Sequence, residues 1–302
     1  MCNDKPIFYR TNSMTILQPL ISGVLTGGVY ALAGIGMSLV FGVMNISNFA
    51  HGDLMMIGMY MAYFAFTLLH IDPYVSLVLI LPTAFLFGYM MEKLFINRVI
   101  HHPHQNQILL TIGLGLIMSN TALLAFTSDP KILTTTYSSS SFTIFGDVSV
   151  SVPLLLSFLI TCGITIILYL FLSKTSTGMA LRATSQNREA AQLMGINVAK
   201  MSAIAFGIGT ALAATAGALI APTYYIHPLA GHSFLLKAFT ICVLGGLGSV
   251  VGAGVGGIII GVVEAMSATY LSSDWKDVIV FVLFLAVLLL RPQGLFGKKG
   301  GQ

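Results

Sequence analysis

Long apolar stretches alternate with short charged intervals along the whole chain. No Asp, Glu, Lys or Arg occurs in residues 11–52, 73–91, 99–128, 148–173, 201–236 or 238–263. A helix crossing the hydrocarbon core of a bilayer needs about 20 mostly apolar residues, so each stretch is long enough to cross at least once. The pattern predicts helices over residues 15–33, a short broken piece over 34–46, and helices over 49–69, 74–95, 108–127, 152–172 and 201–222. A second short piece follows over 234–250, then helices over 251–270 and 275–290. Ten such passes bring the C-terminus back to the side of the N-terminus. Fusing both short pieces with their neighbours gives eight and keeps that arrangement. In the last helix only residues 278–290 are free of charge. Lys276 would have to snorkel, with Asp274, Asp277 and Trp275 near the interface.

Composition supports the same reading. Hydrophobic residues make up 56% of the 302 and charged residues only 8%, against about 25% charged in a soluble domain. A water-soluble globule of this length could not hide so much apolar side chain, whereas lipid solvates it directly. The fold class is therefore an all-α polytopic membrane protein of about eight to ten transmembrane helices, some of them broken. Net charge is +4, and eleven of the fourteen basic residues fall in four groups. These are Lys5 and Arg10; Lys93 and Arg98; Lys174, Arg182, Arg188 and Lys200; and Arg291, Lys298 and Lys299. The positive-inside rule puts those groups, and with them both termini, in the cytoplasm. The charge thus reports topology and calls for no nucleic-acid partner. Residues 1–14 and 298–302 read as cytoplasmic tails flanking a single transmembrane domain over 15–297, and residues 128–151 read as an outside loop. Cys2, Cys162 and Cys242 are far apart and suggest neither a disulfide framework nor a metal site. The first apolar segment is too long for a signal peptide.

Two regions interrupt the apolar pattern. In Gly42-Val43-Met44-Asn45-Ile46-Ser47-Asn48-Phe49-Ala50-His51-Gly52-Asp53, polar side chains and glycines break a long run. Irregular backbone at membrane depth survives only where protein or a water-filled cavity satisfies it. Asn45, Asn48, His51, Gly52 and Asp53 are therefore candidates for a solute path, the alternative being an interfacial loop. The second region, Leu244 to Gly257, is dense in glycine. Gly245, Gly246, Gly248 and Ser249 are candidates for a turn on that path. Gly252 and Gly256 have the spacing of tight helix packing, which by itself explains most of the glycines. The two interruptions lie in opposite halves of the chain, the arrangement of transporters built from internal repeats.

The longest charged interval, residues 174–200, has its own helical signature. Ser185 or Asn187 can cap, Glu189 suits a helix N-terminus, and Ala190, Leu193 and Met194 form an apolar stripe that Gly195 ends. That stripe must pack on its own bundle or dock into a partner.

Other chemistry is sparse. No phosphate-binding Gly-x-x-x-x-Gly-Lys-Ser/Thr loop occurs, and no nucleophile–base constellation stands out, so an enzyme is not expected and no cofactor is called for. His101, His102 and His104 sit in a short turn around Pro103, with no Cys, Asp or Glu to complete a metal shell. Glu92 beside Lys93 reads as an interfacial charge pair. Glu264 has no partner near it in sequence. With no second acid in a neighbouring apolar span to build a proton relay, a structural role is expected.

Four ordered blocks together resemble the branched-chain amino acid permeases of ATP-driven (ABC) importers, of the LivH-like type. They are Asn48-Phe49-Ala50-His51-Gly52-Asp53 with Ile57-Gly58-Met59-Tyr60; Arg182-Ala183 through Glu189-Ala190-Ala191 to Leu193-Met194-Gly195-Ile196-Asn197; Lys237-Ala238-Phe239-Thr240 through Val243-Leu244-Gly245-Gly246-Leu247-Gly248-Ser249; and Lys276-Asp277-Val278 with Arg291 to Gly297. Gln186-Asn187-Arg188 departs from the more acidic or small residues common there. The resemblance implies a multi-pass protein of the bacterial cytoplasmic membrane that forms half of a pore with a second, homologous permease. Two cytoplasmic ATPase subunits and an extracytoplasmic solute-binding protein would complete the system. It also implies that Arg182, Arg188, Glu189, Ala190, Leu193, Met194, Gly195 and Ile196 couple to an ATPase. Urea, short amides or other amino acids are alternative solutes. An ion-coupled carrier or channel is the alternative of another class.

Overall fold

A computed structural model describes residues 11–100, 102–144, 148–272, 274–291 and 293–296, with side chains from Ile16 onward, Ile144 excepted. The first element, α1 (Thr11–Met44), is one continuous helix. The expected break after Ala33 is absent. Gly34 and Gly36 continue the helix because Ile241 and the Gly209 carbonyl occupy the space their side chains would fill. The chain breaks instead at Asn45, whose φ of 55° is left-handed and ends the helix. Next come α2 (His51–Leu69) and α3 (Leu77–Met91), which runs through a π turn (Glu92–Ile96) into α4 (Asn97–Val99). After α5 (His104–Phe126), the expected outside loop contains a hairpin, β1 (Ser141–Ile144) paired antiparallel with β2 (Val148–Ser151). The remaining elements are α6 (Val152–Lys174), α7 (Ser176–Gln186), α8 (Arg188–Leu193), α9 (Val198–Ile220), α10 (Ala230–Gly245), α11 (Val250–Tyr270) and α12 (Lys276–Leu290).

Seven helices are long and apolar enough to cross a membrane, and α10 and α12 add apolar helices of 16 and 15 residues. The described residues thus hold nine apolar helices, within the expected eight to ten, because only one of the two short pieces fuses with its neighbour. The consequence is visible at the ends. Near the start of α1, Gln18 donates to the Ser149 carbonyl (2.7 Å) and accepts from the Ser149 N–H (2.9 Å) on β2. At the other end of the bundle, the N–H groups of Leu295 and Phe296 donate to the carbonyls of Leu244 and Gly245 at 2.8 and 3.2 Å, satisfying the last turn of α10. The first and last described residues therefore lie at opposite ends of the bundle, not on one face as expected.

Helices α1 and α9 form the centre. Most of both is buried, whereas only 22% of the α5 span and 17% of the α6 span is. Leu109, Ile117, Leu124, Ile166 and Ile167 are left exposed, which suits lipid and not water. Helix α11 runs antiparallel along α1 because glycines let the backbones touch: Gly27 lies against the Gly257 carbonyl and Gly261 against Gly27. Gly252 and Gly256 pack on Gly245 and the Ile241 carbonyl, bearing out their reading as packing glycines. Outside the spans, Tyr137 donates to Asp72 at 2.6 Å. Burial, with that bond, pushes the phenol well above its ordinary pKa.

Candidate functional site

After α1 ends at Met44 the chain turns back into the bundle. His51 Nε2 lies 2.9 Å from the carbonyl oxygen of Ala33, eleven residues and about 16 Å back along α1. The six residues Asn45–Ala50 can cover that distance in extended form, at about 3.3 Å each. The side chain of Asn48 accepts the Ala50 N–H at 3.1 Å and closes the turn that starts α2. The motif from Asn48 to Asp53 thus sits inside the bundle, alongside the middle of α1, and Asn48, His51 and Asp53 are all buried. Gly52 is needed because the Gly231 carbonyl, in the first turn of α10, fills the place of its side chain. Two helices therefore begin inside the bundle with their N-termini together. Asp53 lies in the seam, crowded by Gly231 and Gly115, with Oδ1 lacking a protein partner.

Sequence candidates separate into two places. Asn45, Gly248, Ser249, Arg182 and Arg188 line a cavity of about 1090 Å³ at the end of the bundle that carries α7 and α8. The two interrupted regions meet there, with Gly42 against Gly248. Gly246 and Gly248 have φ of 97° and 83°, which glycine adopts without strain, so the α10–α11 link turns sharply. Asn48, His51, Gly52, Asp53, Gly245 and Gly246 do not line this cavity. The first four form the buried seam, and Gly245 is a contact against Gly252.

The 174–200 interval folds as read. Asn187 Oδ1 accepts the Ala190 N–H at 2.9 Å and caps α8. Gly195 has a φ of +81° and ends the turn. Leu193 and Met194 are 88% and 82% exposed, and Arg182, Glu189 and Ala190 are exposed beside them, with Arg188 and Ile196 half-buried. No part of the described chain covers this apolar end. One charge reading changes. Glu92 makes no ion pair with Lys93; it is buried, with Oε1 unpartnered. His102 is exposed, His104 lines the cavity, and His101 lies outside the described residues.

One buried ion pair is not legible in the sequence. Lys237 of α10 donates to Glu264 of α11 at 2.6 Å, and both are buried. Lys237 also reaches the Tyr30 hydroxyl at 3.3 Å, and Tyr30 bonds Tyr224 at 2.9 Å. Asp277 of α12 stands 3.6 Å from the same ammonium but is half exposed. The signal was a lone lysine between two charge-free stretches and a lone acid in the next. Each is costly in an apolar span unless paired.

A bundle of apolar helices with two that begin inside it, a cavity at one end and an exposed apolar helix end below it belongs to the class of multi-pass membrane permeases. Residues 20–288 match the family described as the branched-chain amino acid transport system / permease component, and the chain belongs to it. It is 36% identical over 296 residues to the high-affinity branched-chain amino acid transport system permease protein BraD of Pseudomonas aeruginosa, covering 93% of this chain and 96% of that protein. It is 34% and 33% identical to the LivH proteins of Salmonella typhimurium and Escherichia coli, at 93% of this chain and 96% of each relative. No solved structure matches the chain.

Proposed function

We propose that this protein is a membrane-embedded permease subunit of an ATP-driven importer and carries branched-chain amino acids across the cytoplasmic membrane. The carrying observation is family membership across residues 20–288, with relatives named for branched-chain amino acid transport aligned over nearly their whole length. The chain works beside a second, homologous permease, two ATPase subunits and a solute-binding protein. The end bearing α7 and α8 faces the cytoplasm, so the start of α1 faces out. Leu193 and Met194, almost fully exposed on a capped helix, enter an ATPase groove in the helix-in-groove manner. The ATPases supply the nucleotide chemistry this chain has no motif for.

The test is ATP-dependent uptake of labelled leucine, isoleucine, valine and urea by the complete system in proteoliposomes. Uptake of the three amino acids but not urea is expected. Urea uptake alone would move the solute to the amide class, and uptake driven by an ion gradient without ATP would overturn the reading. In the same assay Gly195→Pro is expected to abolish uptake, because proline cannot adopt the +81° φ found there. Glu189→Lys places a cation at the start of α8 and is expected to weaken ATPase assembly. Normal uptake by both variants would reject the coupling role.

A further inference from the structure

The cavity beneath the bundle has a charge layout that path geometry alone does not require. Its lining includes Arg182 and Arg188 but no Asp or Glu. It is also faced by two helix ends of opposite sign. The N-terminus of α11 enters at Ser249 and Val250, carrying the positive end of a 21-residue helix dipole. The C-terminus of α1 enters at Phe41 to Asn45, carrying the negative end of a 34-residue helix. The Phe41 carbonyl accepts the Asn45 N–H, but among the described residues the carbonyls of Gly42, Val43 and Met44 accept no backbone N–H. Such oxygens are acceptors for an ammonium. The two ends touch at Gly42 and Gly248, so opposite charges are presented a few ångströms apart, with Leu39, Leu172 and Leu181 as apolar wall.

We propose that this cavity binds an aliphatic amino acid as its zwitterion on the cytoplasmic side. The carboxylate is held by Arg182, Arg188 and the α11 N-terminus, and the ammonium by the unpaired carbonyls of Gly42, Val43 and Met44 that end α1. This rests on the proposed function for its orientation and for the identity of the natural ligand, but not for the charge match itself. Bound there, an amino acid bridges α1, α7 and the α10–α11 turn.

The test separates the two claims. Equilibrium dialysis of labelled leucine is performed on the purified permease–ATPase complex, without binding protein. Competitors are leucinamide (no carboxylate), 4-methylpentanoate (no ammonium), acetamide and urea. Leucine is expected to bind, with leucinamide and 4-methylpentanoate each weaker by about tenfold or more, since each loses hydrogen bonds to a charged group. Arg182→Gln and Arg188→Gln are expected to lose leucine binding. Gly113→Leu, outside the cavity and with nothing within 4 Å of its missing side chain, is expected to keep it. Equal competition by leucinamide or acetamide, or unchanged binding in both arginine variants, would overturn the proposal. Failure of leucine uptake by the complete system, with zwitterion-selective binding intact, would instead count against the transport reading alone.

Discussion

Replacing Lys237 by Met is expected to destabilise the protein by about 3–5 kcal/mol, the cost of leaving one partner of a buried ion pair unpaired. Glu264 would keep only Tyr30, a 3.4 Å contact, and its Oε2 already lacks a partner. Asp277→Asn is expected to cost less than about 1 kcal/mol, because that carboxylate is half exposed and 3.6 Å away. The decisive variant is Lys237→Met combined with Glu264→Met, which removes both charges. It is expected to recover most of the loss, as apolar replacements of buried pairs do. Thermal unfolding of the four proteins in detergent checks the set. A Lys237→Met midpoint equal to that of the parent would show that the pair contributes nothing. A double variant as unstable as the single would show that packing, not charge, accounts for the loss.

Gly52→Leu is expected to abolish transport and to lower stability by more than the roughly 1–3 kcal/mol of ordinary overpacking. Even a methyl group there would collide with the Gly231 carbonyl and meet the Leu235 side chain and backbone. Neither α2 nor α10 can withdraw cheaply. His51 is hydrogen-bonded to Ala33, and α10 is fastened at its far end by Leu295 and Phe296. Gly113→Leu is the matched control, since nothing lies within 4 Å of its missing side chain. It should assemble and transport like the parent. Expression level, size-exclusion profile and leucine uptake are compared for both. A Gly52→Leu protein that folds and transports normally would remove the seam from any account of the path.

Features readable in the sequence are those whose cause is local. Charge-free length marks the apolar helices, and a left-handed Asn45 ends α1 within the region where polar residues interrupted the pattern. In α8, Asn187 and Gly195 act through neighbours three or four residues away. What was not readable depends on distant partners. Gly34 and Gly36 look like a break until Ile241 and Gly209 are seen to fill them. Lys237 and Glu264 lie 27 residues apart on two helices, and no local rule pairs them. The return of Asn45–Ala50 to mid-depth is set by the hydrogen bond of His51 to Ala33. The hairpin did carry a local signal, the alternation of Val148-Ser149-Val150-Ser151, in a segment short enough to pass as loop.

The central claim is that the exposed end of α8 stands on the cytoplasmic side and is covered by an ATPase subunit. Leu193→Cys in a cysteine-free background, treated with an impermeant thiol reagent, tests it directly. Reaction only in inside-out vesicles, with loss of labelling when the ATPase subunits are bound, is the predicted result. Labelling from the outer face of right-side-out vesicles would contradict the account.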